Sequence, residues 1–121
     1  MLRPTLPSLC DPNGLLNPNA VAARLGVDLN GLAALIRMHR NSLYRLPHGS
    51  QGQEKMSEVV RILTRAAALM DKHNSDIKAV MWFRNQPIAG FGNKTAMELV
   101  REGHVAAVRA HLSVLENGGY A

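Results

Sequence analysis

Residues 79–121 read AVMWFRNQPIAGFGNKTAMELVREGHVAAVRAHLSVLENGGYA, and this stretch decides the fold. An apolar segment that carries the only tryptophan, Trp82, stops before Pro87 and is followed by a glycine-bearing loop, residues 90–92. Thr95, with a glutamate three residues later, forms the reciprocal pattern of a capping box, which predicts that a helix begins there. The stretch therefore predicts short helices arranged around one loop.

The last helix of this stretch is amphipathic. Gly103 is well placed to end the helix before it. Apolar residues then recur at helical spacing, at Val105, Val108, Leu112 and Leu115. The glycine-rich segment that follows Glu116 predicts that the helix ends there.

This order of features resembles the C-terminal domain of the Xre/MbcA/ParS antitoxins. That family has a tryptophan–hydrophobic pair, a loop ending in glycine, a short helix, a glycine, and a last amphipathic helix with a glycine–aromatic tail. The usual proline at the first position of the short helix is Ala96 here. The matching residues are Trp82-Phe83, 90–92, 97–100, Glu102-Gly103, Val108, Leu112 and 116–120.

The resemblance implies a toxin-binding domain over residues 74–121. Glycines permit close backbone approach, an aromatic tyrosine offers apolar area with a hydrogen-bonding tip, and a carboxylate can pair with cationic groups. The residues that the resemblance implicates in toxin binding are Trp82, Phe91, Lys94, Glu116, Asn117, Gly118, Gly119, Tyr120 and Ala121.

Composition limits the class of protein. The chain has 121 residues, a formal net charge of +5 and one cysteine, Cys10. A single cysteine excludes an internal disulfide and a cysteine-based metal cluster, and it fits a reducing cytoplasm. No apolar run is long enough to cross a membrane, and prolines lie where a signal peptide would have its apolar core. These features predict a cytoplasmic protein. Abundant alanine and small aliphatic residues predict an all-α fold, and the positive charge suits a polyanion such as nucleic acid.

The first residues allow two interpretations. Residues 1–16 contain three prolines and show no sustained periodicity, which predicts an extended arm. Alternatively, their leucines pack the segment onto a neighbouring lobe or subunit. The first helix should begin at Asn17-Pro18, with asparagine as N-cap and proline at the first helical position, and should end at Gly26.

Residues 27–47, VDLNGLAALIRMHRNSLYRLP, predict a helix-turn-helix. Asp28 can cap a first helix, stapled by Val27 against Leu32, whose inward face is Leu32, Ala33 and Ile36. After a break at 37–39, a second short helix over 40–46 turns Leu43 and Leu46 inward. It should stop before Pro47, because the residue before a proline avoids helical geometry.

The apolar spacing of this segment resembles that of Xre-type helix-turn-helix domains. Two positions depart from the family pattern: Arg37 stands where the turn glycine is usual, and His39 where a capping serine or threonine is usual. The resemblance places the outward face of the second helix in the major groove, where arginine pairs with guanine and asparagine with adenine. The alternative is a solvated basic face on a packing helix. The candidate DNA-binding residues are Arg37, Arg40, Asn41, Ser42, Tyr44 and Arg45.

A long helix is predicted from Glu54 to His73. Ile62 and Leu69 widen its apolar stripe, so we expect it to be covered on two sides. It joins a helix-turn-helix domain, residues 17–73, to the C-terminal domain and is a candidate for the contact in a homodimer. Asn74 should cap the helix that follows. The stripe consists of Met56, Val59, Val60, Leu63, Ala66, Ala67 and Met70.

Enzymatic chemistry is not predicted. The loop 90–95 lacks the spacing and the preceding strand of a phosphate-binding loop. His104 and His111 are too far apart on one helix to hold a single metal ion. No nucleophile with an activating base can be assigned, so we expect no catalytic residue, no metal and no cofactor.

The resemblance implies the antitoxin of a type II toxin–antitoxin system. Such an antitoxin binds a RES-domain toxin that consumes NAD, occludes its active site, and acts as a transcriptional repressor of its own operon through operator DNA. Two alternatives stay open: a stand-alone helix-turn-helix regulator, and an adaptor that binds another protein and no longer binds DNA.

Overall fold

The computed structural model describes residues 9–45 and 50–118, without the side chains of Tyr44 and Arg45. Within these ranges the protein is all-α, as predicted, and two isolated β-bridges are its only β-structure. The predictions for residues 1–8, Leu46 and 119–121 lie outside the described residues. The helices are α1 (Pro18–Leu25), α2 (Leu29–Leu35), a 3-10 helix (Arg40–Arg45), α3 (Gln51–Ala68), α4 (Ser75–Asn85), α5 (Ala96–Arg101) and α6 (Val105–Glu116).

The chain divides into two compact units, residues 1–61 and 62–121, and the boundary lies inside α3. In the N-terminal unit, α1 begins and ends as predicted. The Oδ1 atom of Asn17 accepts a hydrogen bond from the N–H of Asn19 at 2.9 Å. Gly26, with φ of 73°, ends the helix in the left-handed conformation that glycine adopts without steric cost.

Residues 9–16 take the packed alternative. Leu9 and Leu16 are buried. The side chain of Gln53 in α3 bonds to both backbone groups of Leu16. Its Oε1 accepts a hydrogen bond from the Leu16 N–H, and its Nε2 donates one to the Leu16 carbonyl oxygen, each at 3.0 Å. This pairing and the burial of two leucines fix the segment on the N-terminal unit.

The segment 27–45 follows the prediction as far as the turn. Asp28 caps α2 by accepting a hydrogen bond from the N–H of Gly31 at 2.7 Å. Leu32, Ala33 and Ile36 are all buried, as expected.

The second short helix differs from the α-helix predicted over 40–46. It is a 3-10 helix, Arg40–Arg45, and the N–H of Ser42 bonds to the carbonyl oxygen of His39, three residues back, at 3.0 Å. Short segments often take this tighter form, whose hydrogen bonds reach back three residues instead of four. Leu43 is nevertheless buried, as predicted.

The long helix is displaced from its predicted bounds of 54–73 to Gln51–Ala68. It starts earlier because the hydroxyl of Ser50 accepts a hydrogen bond from the N–H of Gln53. It ends earlier because Leu69 and Met70 donate to carbonyls three residues back, which tightens the last turn. Ile62 is buried, but Leu69 is 43% exposed, so the expectation that Leu69 is covered is wrong.

The C-terminal unit packs α4, α5 and α6 around a core that includes Phe83, Val108 and Leu112. Asn74 lies at the start of α4 as predicted, but its side chain makes no capping bond and its backbone is left-handed. Gly103, with φ of 91°, follows α5 as predicted. Among the described residues, no helix has the length and apolar character needed to span a membrane.

Candidate functional site

The turn between α2 and the 3-10 helix accommodates both departures from the helix-turn-helix pattern. Arg37 has φ of 60°, the left-handed conformation for which glycine is favoured. The Nδ1 atom of His39 accepts a hydrogen bond from the N–H of Asn41 at 3.2 Å, in the role that a serine or threonine hydroxyl plays at a helix start. The turn therefore closes without the usual glycine and hydroxyl.

The candidate DNA-binding residues lie near this turn. Arg37, Arg40 and Asn41 are exposed and Ser42 is half-buried, while Leu43 anchors the segment in the core. The side chains of the other two candidates, Tyr44 and Arg45, are not described.

Arg40 also borders an open depression of about 420 Å³ between residues of α1 and the start of α2. The Asp28 carboxylate, which caps α2, lines the same depression. The depression therefore has both a basic and an acidic residue in its lining.

In the C-terminal unit, a closed loop presents Phe91. An isolated bridge pairs Pro87 with Thr95, and the N–H of Ile88 donates to the carbonyl oxygen of Lys94 at 2.9 Å. Ile88 is buried and anchors the loop, whereas Phe91 at its tip is 37% exposed.

The start of α5 holds the end of this loop. The hydroxyl of Thr95 accepts a hydrogen bond from the N–H of Glu98 at 3.1 Å, and the Glu98 carboxylate accepts one from the N–H of Thr95 at 3.0 Å. These bonds to Thr95 hold the pKa of Glu98 below its usual range. The predicted capping box is therefore confirmed, and it works with Ala96 in place of the family's proline.

Two of the predicted toxin-binding residues, Phe91 and Lys94, line one cavity of about 330 Å³. Lys94 Nζ lies 2.6 Å from Glu102 Oε1, so the ion pair crosses from the loop to the end of α5. Sequence reasoning missed the other four lining residues, which belong to segments that become neighbours only in the folded unit. They are Leu99, Glu102, His104 and Ala107.

Trp82 is not among the residues that line this cavity. It is half-buried on α4, whereas the adjacent Phe83 is fully buried. The structure therefore does not bring Trp82 to the site formed by Phe91 and Lys94.

Glu116, at the end of α6, is already paired within the chain. Both its oxygens accept hydrogen bonds from the Arg65 guanidinium, at 2.7 Å from Nη2 and 2.9 Å from Nε. Nη2 also donates to the hydroxyl of Ser113 at 3.1 Å. The hydrogen bond from Arg65 lowers the pKa of Glu116, and the same bond raises the pKa of Arg65.

This pairing changes the interpretation of Glu116, which the sequence suggested would meet cationic groups of a partner. The cation that pairs with Glu116 in the folded chain is Arg65, which lies 51 residues earlier in the sequence. No local pattern marks such a distant pair. Asn117 Nδ2 donates to the carbonyl oxygen of Ser113 at 2.9 Å, so the described part of the tail continues from a bonded helix end.

The histidines that the structure describes belong to no cluster of potential metal ligands. Among residues 9–45 and 50–118, no group of three or more potential metal ligands lies together. His104 lines the cavity near Phe91, and the Nε2 atom of His111 is buried without a hydrogen-bond partner.

No protein-family model matches the chain, and a search of curated proteins finds no match. Among solved structures, the chain is similar to one in the crystal structure of the M. tuberculosis MbcT-MbcA toxin-antitoxin complex. The TM-score is 0.58 at 15% sequence identity, and the match covers 87% of this chain and 95% of that chain. At this identity, the likeness establishes a shared fold.

Proposed function

We propose that this chain is the antitoxin of a type II toxin–antitoxin system and that it neutralises its toxin by direct binding. The observation that carries the proposal is the fold, which matches a chain of a toxin–antitoxin complex over most of both lengths. The resemblance in residues 79–121, which rests on the order of sequence features, supports the same function independently of the fold.

The toxin-binding surface that we propose has two parts, both in the C-terminal unit. The first is the cavity at which Phe91 offers exposed apolar area beside the Lys94–Glu102 ion pair. The second is the segment 117–121, whose glycines permit close approach of its backbone to a partner. The toxin that fits the resemblance is a RES-domain protein that consumes NAD, and segment 117–121 would occlude its active site.

The test is co-expression of this chain with the product of the adjacent gene, followed by co-purification and measurement of cellular NAD. A stable complex that restores NAD supports the proposal. If no complex forms and NAD stays low, the antitoxin function is wrong.

A truncation that removes residues 119–121 tests the second surface. It leaves the Arg65–Glu116 pair intact, so the end of α6 keeps its contacts. We expect the truncated chain to fold but to lose neutralisation. Full protection by the truncated chain would exclude the tail from the mechanism.

We further propose that the N-terminal unit binds operator DNA, as a homodimer, and so represses its own operon. The exposed Arg37, Arg40 and Asn41 beside the intact turn support this function. Replacement of Arg37 or Arg40 by alanine should weaken DNA binding and lower its salt dependence by about one counterion each if they contact phosphates. Unchanged binding by both variants would exclude these arginines as DNA contacts, and no binding by the unaltered chain would favour an adaptor that does not bind DNA.

A stand-alone regulator is the second candidate, and the closed turn beside exposed basic residues is the observation that favours it. DNA binding together with failure to bind the product of the adjacent gene would decide for it.

A further inference from the structure

The Arg65–Glu116 pair differs from the two other ion pairs described in the C-terminal unit. The Lys78–Asp71 pair joins residues seven positions apart, and Lys94–Glu102 joins residues eight apart, each through a single lysine nitrogen. The Arg65 guanidinium instead donates hydrogen bonds to both carboxylate oxygens of Glu116, which lies 51 residues later in the sequence. The side chains of the Arg65–Glu116 pair are also the least exposed of the three pairs, at 30% and 38% respectively.

Glu116 occupies an unfavourable place for an isolated carboxylate. It is the last residue of α6, where the helix dipole presents its negative end and the final carbonyl groups lack partners within the helix. A cation at this end is favourable. Arg65 supplies that cation, and its further bond to Ser113 holds the last turn at a second point.

We infer that Arg65 is a positioning residue for partner binding. Its guanidinium keeps the last turn of α6 from fraying and fixes the point, at Asn117, where the chain leaves the helix. A segment that leaves from a fixed point loses less conformational freedom when it binds. Glu116 therefore acts through Arg65, within its own chain, rather than as a direct contact to the toxin. This inference rests on the proposed antitoxin function and assigns that function a residue outside the toxin-binding surface.

A charge-exchange experiment tests the inference on the complete chain. The affinity for the product of the adjacent gene is measured for Arg65→Ala, for Glu116→Gln, for both together, and for the exchange of Arg65→Glu with Glu116→Arg. We expect each single change to weaken binding by up to about fivefold, the upper end of the range for a partly exposed ion pair. The double variant Arg65→Ala with Glu116→Gln should lose no more affinity than either single variant. The charge exchange should recover most of the affinity.

The outcome that overturns the inference is equally specific. If Glu116 contacts the toxin directly, Glu116→Gln weakens binding, Arg65→Ala does not, and the exchanged pair fails to recover it. The matched control is Lys78→Ala, which breaks another ion pair of the same unit and should leave the affinity unchanged.

A measurement on the free chain separates this inference from the antitoxin proposal. Amide hydrogen exchange at residues 113–118 should quicken in Arg65→Ala and return toward the original rates in the exchanged variant. Unchanged exchange in Arg65→Ala overturns the positioning role, whether or not a toxin binds. If exchange responds as expected but the unaltered chain binds no toxin, the antitoxin proposal fails while the effect on the helix end stands.

Discussion

The two units differ in how their backbones are held. In the C-terminal unit the two segments that flank α5 are closed by matched local partners: the capping box at Thr95, the bridge that closes loop 87–95, and glycine after α5. In the N-terminal unit the central turn places Arg37 in a conformation that favours glycine, and His39 takes the role of a hydroxyl cap. The comparison teaches that the segments around α5 have the residues that favour their conformation, whereas the turn after α2 adopts its conformation without them.

The largest effect that we expect tests the core of the C-terminal unit. Phe83→Ala should lower the free energy of unfolding by about 3–5 kcal/mol, because a fully buried aromatic ring is lost and a cavity is left behind. Urea denaturation followed by the fluorescence of Trp82, the only tryptophan, reports on this unit.

The control for this change is Phe91→Ala, which removes the same side chain from an exposed position in the same unit. It should cost about 0.5 kcal/mol or less. Equal costs at the two positions would show that Phe91 is part of the core and is not available to a partner.

A cap substitution tests whether local signals hold the C-terminal unit. Thr95→Ala removes the acceptor for the N–H of Glu98 and should cost about 1 kcal/mol in urea denaturation. Asn74→Gly is the matched control at the start of α4, where the side chain makes no cap bond and the backbone is already left-handed. If Asn74→Gly lowers the free energy of unfolding more than Thr95→Ala does, the Thr95 cap is not the more important of the two helix starts.

In the turn after α2, by contrast, a substitution should raise the stability of the fold. Arg37 is left-handed, a conformation that costs a residue with a Cβ about 1–2 kcal/mol, and Arg37→Gly removes this cost. Glycine also makes the unfolded chain more flexible, which lowers stability by about 0.5–1 kcal/mol. We therefore expect a stabilisation of about 0.5 kcal/mol, seen as a higher urea midpoint by circular dichroism. Arg37→Ala removes the same side chain but keeps the strain, so a gain from alanine as large as that from glycine would show that strain is not the cause.

The smallest effect at each site concerns pH. In the folded chain the pKa values of Glu98, Glu116 and Asp71 are lowered, chiefly by hydrogen bonds from Thr95, Arg65 and Lys78 respectively. The unfolded chain therefore binds protons more readily, so these groups stabilise the fold above the ordinary carboxyl pKa, and the stabilisation is lost as pH falls through the lowered values.

Thermal unfolding followed by Trp82 fluorescence should accordingly give a Tm that is steady near neutral pH and falls below about pH 4.5. Glu98→Gln and Glu116→Gln should each flatten part of that fall. A Tm as steady at pH 3 as at pH 7 would show that these hydrogen bonds are not maintained in solution.

Sequence reasoning succeeded where the signal is local. Asn17, Asp28 and Thr95 cap helices as predicted, because a short polar side chain before an apolar period satisfies the first free N–H groups of a helix wherever the helix lies. The same is true of Gly26 and Gly103, which end helices with positive φ.

The misses depend on contacts that no local pattern encodes. The 3-10 form of residues 40–45 rests on a bond to a carbonyl three residues back, and the early end of α3 depends on how its last turn tightens. In the candidate site, Phe91 and Lys94 line one cavity, and Glu102 and His104 join them only through the packing of α5 against α6. Arg65 could not be linked to Glu116 because 51 residues separate them.

That separation also has a kinetic consequence. Most helix contacts within each unit join sequence neighbours, α1 with α2 in one, and α4 with α5 and α5 with α6 in the other, and such local contacts form rapidly. The Arg65–Glu116 pair closes the longest loop among the ion pairs described, and closure entropy grows with loop length. The pair should therefore form late in folding, so that Arg65→Ala speeds unfolding and leaves the folding rate nearly unchanged.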